Sequence, residues 1–142
     1  MNVFFDTSSL FKLYHKEAGT EELMTFIINQ KVKDIFLAEI TKIEFYSVVW
    51  KKCRNKEISE DLAIILISKF EKDCQKYKFV NNSKKLTSSA SNLLKTHWKK
   101  GLRTLDSVQL ASALKVKKEV LTISTSDKLL AEICKIEGMK VI

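Results

Sequence analysis

Four acidic side chains, spread over the length of the chain, stand where they could act together. Asp6 ends a short apolar run, Asp127 follows another, and Glu44 and Asp106 belong to apolar helical stretches. Carboxylates brought together repel one another, at a cost on the order of 3 kcal/mol per close pair at an effective dielectric near 20. A divalent cation bound between the carboxylates makes their close approach favourable, because it attracts each of them. Oxygen ligands without histidine or cysteine favour Mg²⁺ or Mn²⁺ over Zn²⁺, and such ions can activate water for attack on phosphorus.

Glu44 is the acid whose surroundings are hardest to explain structurally. The predicted helix around Glu44 is apolar nearly all round from Ile43 to Trp50, which predicts that it is substantially buried. The neighbours of Glu44 one helical turn away are Ile40 and Val48, and Phe45 and Tyr46 follow it in the chain. An ionised carboxylate among such residues needs a partner. No lysine or arginine lies three or four residues from Glu44, which leaves a tertiary salt bridge or a metal ion as the alternatives.

Helix capping is the structural alternative for the other three acids. Asp6 and Asp127 each follow a predicted strand and precede a predicted helix, where an aspartate accepts free backbone N–H groups and complements the helix dipole. Taken singly, each is better explained as a cap. Asp106 opens the stretch LDSVQLASAL, whose apolar residues indicate a buried face, and its place in the first turn also permits capping.

Other catalytic chemistries find little support in the sequence. His15 and His97 are too isolated to predict a metal pair or an acid–base pair, and three glycines in the whole chain leave no glycine-rich phosphate loop. Ser8 has no recognisable base. Trp50 is predicted to lie in the core, whereas for Trp98, which stands among lysines, packing and base stacking both stay open.

The positive charge is concentrated in the middle of the chain. Residues 1–50 carry five Lys/Arg against seven Asp/Glu, residues 51–103 carry fourteen against five, and residues 104–142 carry six against five, which makes the net +8. No acid occurs from residue 81 to residue 103. A solvated lysine-rich helix explains this stretch by itself, and a phosphate-binding surface becomes the better explanation if an acidic site lies nearby. Acids at a site in an otherwise basic protein suggest a nuclease.

The elements that must position these acids alternate between strand and helix. Apolar, β-prone runs predict strands at 2–5, 34–38, 79–80, 120–124 and 139–142, and periodic patterns predict helices at 7–15, 20–30, 40–54, 59–77, 83–99, 104–117 and 126–137. Gly101 suits a left-handed helix end. The pattern predicts one α/β domain, residues 1–142, with a mostly parallel four- to five-stranded sheet flanked by helices in three layers. Sites in such sheets form at the carboxyl ends of the strands, where Asp6 and Asp127 fall.

Composition agrees with one globular domain of 142 residues. The three cysteines are odd in number and widely spaced, which favours a reducing compartment. No run of about 18 apolar residues occurs and no signal-like segment precedes the first strand, so we expect a cytoplasmic protein without a membrane segment.

The motifs around the four acids together resemble those of the PIN domain, and within it the VapC-type toxins of toxin–antitoxin pairs. FFDTSSL is similar to the family's first motif, TKIEFYSVVW to its second, LRTLDSVQLASAL to its third and ISTSDKLL to its last. The four motifs occur in family order, and the resemblance covers almost the whole chain.

The resemblance implies an endoribonuclease that hydrolyses RNA phosphodiester bonds with one or two Mg²⁺ or Mn²⁺ ions. It assigns Asp6, Glu44, Asp106 and Asp127 as catalytic metal ligands, directly or through water, with Ser8, Thr125 and Ser126 as supporting residues. Where some relatives carry a further acid after the last aspartate, this chain has Lys128. The resemblance also implies a homodimer and a cognate antitoxin that occupies a helical groove and blocks the site.

The basic stretch leads directly into Asp106, which predicts that Lys99, Lys100 and Arg103 guide RNA to the metal ions. Two alternatives to a nuclease stay open at this point. One is a PIN-like module that binds RNA or protein without cleaving, and the other is a plain α/β scaffold whose acids are caps and salt bridges. Only the nuclease would need Mg²⁺ or Mn²⁺ for turnover, so metal titration would separate it from the binding module and from the scaffold.

Overall fold

The computed structural model describes residues 1–142 and contains one sheet with helices on both faces. The strands are β1 (Asn2–Phe5), β2 (Asp34–Ala38), β3 (Lys78–Val80), β4 (Thr122–Ser124) and β5 (Lys140–Val141). The helices are α1 (Thr7–Phe11), α2 (Thr20–Asn29), α3 (Thr41–Arg54), α4 (Glu60–Asp73), α5 (Lys84–His97), α6 (Thr104–Lys115) and α7 (Lys128–Ile136), and a 3-10 turn covers Trp98–Lys100. The strand order is β3-β2-β1-β4-β5 and every pair is parallel. The predicted α/β class and parallel sheet are confirmed.

The central strand β1 divides the interior into two cores, because successive side chains of a strand point to opposite faces. Val3 and Phe5 pack into a core formed with α1 to α4. Phe4 packs into the other core, which α5, α6 and α7 cover. Both faces of the sheet are therefore buried, which explains why the strand sequences are apolar without alternation.

Two expectations about helices were wrong. The helix α3 is not buried all round, since Ile43 is 71% exposed and Trp50 is 42% exposed, whereas Phe45 and Val49 face the core. Trp50 is thus not a core residue. The first helix ends at Phe11 rather than residue 15, and turns join it to Gly19, whose φ of 92° precedes α2.

Strand register brings the first and last acidic motifs to the same edge of the sheet. Phe5 is paired with Ser124, and the backbone N–H of Asp6 donates to the Ser124 carbonyl at 3.1 Å. The residues that follow β1 and β4 therefore emerge side by side. No helix in the structure combines the length and the hydropathy needed to span a bilayer.

Candidate active site

Asp6 lies at the carboxyl end of the central strand and is only 5% exposed. Its Oδ1 accepts hydrogen bonds from the Ser8 hydroxyl at 2.7 Å and from the Ser9 backbone N–H at 2.9 Å, so Asp6 also caps α1. Its Oδ2 accepts from the Thr125 hydroxyl. Burial raises the pKa of Asp6, and these hydrogen bonds oppose the rise. Neutral donors and no cation therefore surround this carboxylate.

The segment after β4 is tied to the segment after β1 by hydroxyl groups. The Thr125 hydroxyl that donates to Asp6 also accepts from the Asp127 backbone N–H at 3.1 Å. Ser126 takes part through its backbone N–H, which donates to the Ser8 hydroxyl at 3.3 Å. The supporting residues named from the sequence thus join the two strand ends and orient Asp6.

Glu44 projects from the first turns of α3 and is partly buried. Its Oε1 accepts from the Gln109 side-chain amide at 2.7 Å and from the Thr7 hydroxyl at 3.1 Å. Burial raises the pKa of Glu44, these two hydrogen bonds oppose the rise, and the negative charges of Asp6 and Asp106 add to it. The hydrogen-bond partners of Glu44 within the protein are therefore two neutral donors, and Glu44 forms no salt bridge.

Asp106 lies in the first turn of α6 and does not cap it, because the N-cap position belongs to Arg103. Its nearest cationic partner is the Arg103 Nε at 3.8 Å, on a side chain that is 80% exposed. Burial raises the pKa of Asp106, as do the charges of Asp127 and Asp6, while Arg103 lowers it. Asp106 is thus electrostatically coupled to both acids of the sheet edge.

Asp127 does cap a helix. Its Oδ1 accepts from the Leu130 backbone N–H at 2.9 Å, at the start of α7. Capping and a place in the acidic site are therefore compatible for Asp6 and Asp127, since each uses one oxygen for the cap.

Sequence reasoning missed three residues of this site, namely Thr7, Thr41 and Gln109. The Gln109 amide nitrogen lies 3.2 Å from the Thr7 hydroxyl and 3.0 Å from the Thr41 hydroxyl, besides its contact with Glu44. Its carbonyl oxygen is buried without a hydrogen-bond partner. A polar residue three positions after Asp106, within an otherwise apolar helical face, was the signal that could have identified it.

An open crevice of about 580 Å³ gives access to two of the acids. Its lining comprises Glu44, Leu94, Leu102, Arg103, Thr104, Leu105 and Asp106. Of the three basic residues predicted to contact RNA, only Arg103 lines this crevice. Lys100 forms an ion pair with Glu132 of α7 at 3.0 Å, and Lys99 lies over the Trp98 ring, 5.6 Å from its centre.

The chemistry of these side chains suits a hard divalent cation, although they do not form a ready-made cage. No three acidic, histidine or cysteine side chains lie close enough together to hold one ion directly. Mg²⁺ commonly uses only one or two carboxylates and keeps several water molecules, so this spacing is compatible with it. The only cation paired with these acids is Arg103, whose Nε lies 3.8 Å from Asp106, and no lysine or arginine pairs with Asp6 or Glu44. Protein cations therefore leave the negative charge of these carboxylates largely unbalanced.

Comparison with solved structures shows a shared fold. VapC20 of Mycobacterium tuberculosis, described as a Sarcin-Ricin loop cleaving toxin, is 14% identical with a TM-score of 0.66, over 92% of this chain and 94% of that one. VapBC2 of Rickettsia felis, bound to a DNA fragment from its promoter, is 15% identical with a TM-score of 0.66, over 100% and 98%. FitAcB of Neisseria gonorrhoeae is 15% identical with a TM-score of 0.67, over 99% and 96%.

Sequence comparison identifies the family. No curated protein sequence matches the chain. A family model described as PIN domain matches residues 3–136. Because that match spans nearly the whole chain, the protein belongs to the PIN domain family.

Proposed function

We propose that this protein is a metal-dependent endoribonuclease, the toxin of a toxin–antitoxin pair, in which Asp6, Glu44, Asp106 and Asp127 hold Mg²⁺ or Mn²⁺. The observation that carries the proposal is the state of Asp6. It is a buried carboxylate at the carboxyl end of the central parallel strand, without a cationic partner, and coupled in charge to Glu44 and Asp106.

Asp6 and Asp106 differ in how firmly the protein holds them. Asp6 is fixed by Ser8, Ser9 and Thr125, so it is a rigid ligand. Asp106 has no hydrogen-bonded partner and is free to adjust, as a direct ligand or through water. When bound, the divalent ion supplies a water molecule of lowered pKa for attack on phosphorus and offsets charge on the phosphodiester. We propose one ion, since Lys128 stands where some relatives have a further acid.

The test is cleavage of single-stranded RNA by the purified protein with and without Mg²⁺ or Mn²⁺. We expect turnover with either ion, none with EDTA, and none for Asp6→Asn. The control is Asp61→Asn, which makes the same chemical change at an exposed first-turn acid of α4 that is not one of the four proposed ligands. Wild-type turnover by Asp6→Asn, or in EDTA, would contradict the proposal.

A binding module without nuclease activity is the second candidate. The spacing of the acids favours it, since no three of them reach one ion in this conformation. Metal titration of RNA binding and RNA cleavage separates the two functions. A binder would hold RNA equally well with or without the ion and leave it intact.

The proposed partners are an antitoxin, a second copy of the chain, and RNA in the cytoplasm. VapBC2 and FitAcB support the first, because their fold is shared here and they belong to two-protein systems by name. Exposed apolar side chains, including Ile43 and Trp50 on α3 and Ile64 on α4, support a surface that a protein partner covers. Light scattering should give twice 16.4 kDa for the protein alone. Co-expression with a small adjoining reading frame should suppress cleavage.

The basic residues before Asp106 have unequal parts in this proposal. Arg103 lines the crevice. Lys99 forms no salt bridge, whereas Lys100 already forms one with Glu132. Charge reversal of Lys99, Lys100 and Arg103 together should weaken RNA binding and flatten its dependence on salt. Unchanged binding would remove them from RNA recognition.

A further inference from the structure

Trp98 is a large aromatic side chain that lies mostly outside the core. It is 67% exposed, at the first residue of the 3-10 turn that extends α5. The buried residues of α5 are Leu86, Ala90, Leu93 and His97. His97, the preceding residue, is buried and bonded to Glu137 at 2.7 Å, and this contact anchors the end of α5.

Trp98 lies close in the chain to residues that line the acidic crevice. Leu94 lies one helical turn before Trp98, about 6 Å along the axis, and lines the crevice with Glu44 and Asp106. After Gly101 the chain returns to the crevice at Leu102 and Arg103. Trp98 is therefore bracketed in sequence by residues that line the proposed catalytic site.

The surroundings of Trp98 are basic and open. The stretch 81–103 contains six lysines and arginines and no acid, and the Lys99 ammonium lies 5.6 Å from the centre of the indole ring. A Cβ added at Gly101 would meet no atom within 4 Å, so space is free beside the turn. Positive charge next to an exposed aromatic face is the combination that binds single-stranded nucleic acid, through phosphate contacts and base stacking.

We propose that Trp98 stacks on an unpaired base of single-stranded RNA and so holds the neighbouring backbone over Asp106 and Glu44. This inference rests on the proposed function and adds a residue that binds the RNA substrate, by stacking on one of its unpaired bases. Bases in a duplex already stack on each other and offer no free face, so the site discriminates against paired RNA. Trp98 acts as a positioning residue for this substrate.

Intrinsic fluorescence tests the stack directly, because the chain has only two tryptophans. In a Trp50→Phe background, Trp98 is the sole indole, and EDTA prevents cleavage during the measurement. A single-stranded oligoribonucleotide should quench its emission on binding. A duplex of the same sequence, or a single strand with abasic positions, should bind through charge and leave the emission unquenched. Equal quenching by the duplex would overturn the proposal.

Substitutions give a second readout. Trp98→Ala should weaken single-strand binding by about 5- to 150-fold, the range for loss of one base–aromatic stack, without changing the salt slope. Trp98→Phe should restore most of the affinity. Lys99→Ala is the matched control, and it should reduce the salt slope by about 0.7 while the preference for single strands persists. Parental affinity of Trp98→Ala would overturn the stacking site.

Failure of this inference is distinguishable from failure of the proposed function. If Trp98→Ala binds RNA as the parent does, while Asp6→Asn abolishes cleavage, the stacking site is wrong and the nuclease stands. If Asp6→Asn cleaves normally, the nuclease assignment is wrong, and quenching in EDTA still decides whether Trp98 stacks on RNA.

Discussion

The side-chain amide of Gln109 on α6 donates a 2.7 Å hydrogen bond to the carboxylate of Glu44 on α3, 65 positions earlier in the chain. Glu44 has no lysine or arginine partner, so this bond and the one from Thr7 are what oppose the effect of burial on its pKa. Gln109 therefore helps to keep Glu44 ionised, which a metal ligand requires.

Replacement of Gln109 by leucine should shift the pH dependence of cleavage. Loss of the amide removes a hydrogen bond to the charged form, so the already raised pKa of Glu44 rises further. Glu44 then ionises at higher pH, and the acid limb of the kcat/KM profile for RNA cleavage should move to higher pH. Ser112→Ala is the control, because Ser112 is buried in the same helix and bonds only to the Val108 carbonyl. An unshifted profile for Gln109→Leu would show that Glu44 does not depend on this bond.

Asp106→Asn should separate activity from stability. Asp106 makes no side-chain hydrogen bond and is repelled by Asp127 and Asp6, so neutralising it removes repulsion without breaking a cap. In EDTA the variant should melt at the wild-type temperature or slightly above it. With Mg²⁺ its cleavage rate should fall by more than the roughly 10- to 100-fold that is typical for residues that only orient a metal ligand. A marked drop in melting temperature would mean that Asp106 has a structural role.

The contribution of Asp6, Glu44 and Asp106 to the stability of the metal-free protein should fall as pH rises. The pKa values of Asp6, Glu44 and Asp106 lie above their ordinary values of 3.8 and 4.5, so the native chain keeps protons that the unfolded chain has released. The free energy of unfolding contributed by these groups is therefore highest below the ordinary values and is lost as pH rises through the raised ones. Urea unfolding in EDTA should show a smaller decline for Asp106→Asn than for the wild type.

Mg²⁺ should reverse that decline. An ion that binds only the native state adds stability in proportion to the logarithm of its concentration over its Kd. At pH 7 to 8 the urea midpoint of the wild type should rise with added Mg²⁺, while that of Asp106→Asn should respond less. An equal rise of the urea midpoint in the two proteins would mean that the ion binds away from Asp106.

The buried pair His97 and Glu137 should contribute measurably to stability. Its 2.7 Å contact joins the end of α5 to the end of α7, and the His97 side chain is almost fully buried. A double-mutant cycle with His97→Ala and Glu137→Ala should give a coupling of about 1 to 3 kcal/mol. The exposed pair Lys100 and Glu132, between the neighbouring segments, is the control and should give less than about 1 kcal/mol. Equal couplings would show that burial adds nothing here.

Local patterns in the sequence were sufficient for most of the fold. The run at Asn2–Phe5 forms the central strand, Ser59 and Ser83 accept the capping N–H groups of Leu62 and Leu86, and Gly101 adopts the left-handed φ of 84° predicted for a helix end. These features depend on residues close in the chain. For α3 the prediction of burial on all sides was wrong, because an apolar composition does not show which side of a helix the neighbouring elements leave exposed.

The sequence by itself indicated that Asp6 and Asp127 each follow a strand and that parallel strands would bring the two to one edge of the sheet, and the pairing of β1 with β4 agrees with this. It could not assign the partners of Glu44, because Gln109 and Thr7 meet it only through the packing of α1, α3 and α6. Only the tertiary structure decided that Trp98 is exposed while His97 is buried. The physical reason is that secondary structure follows from neighbours along the chain, whereas charge balance and exposure follow from which distant surfaces come into contact.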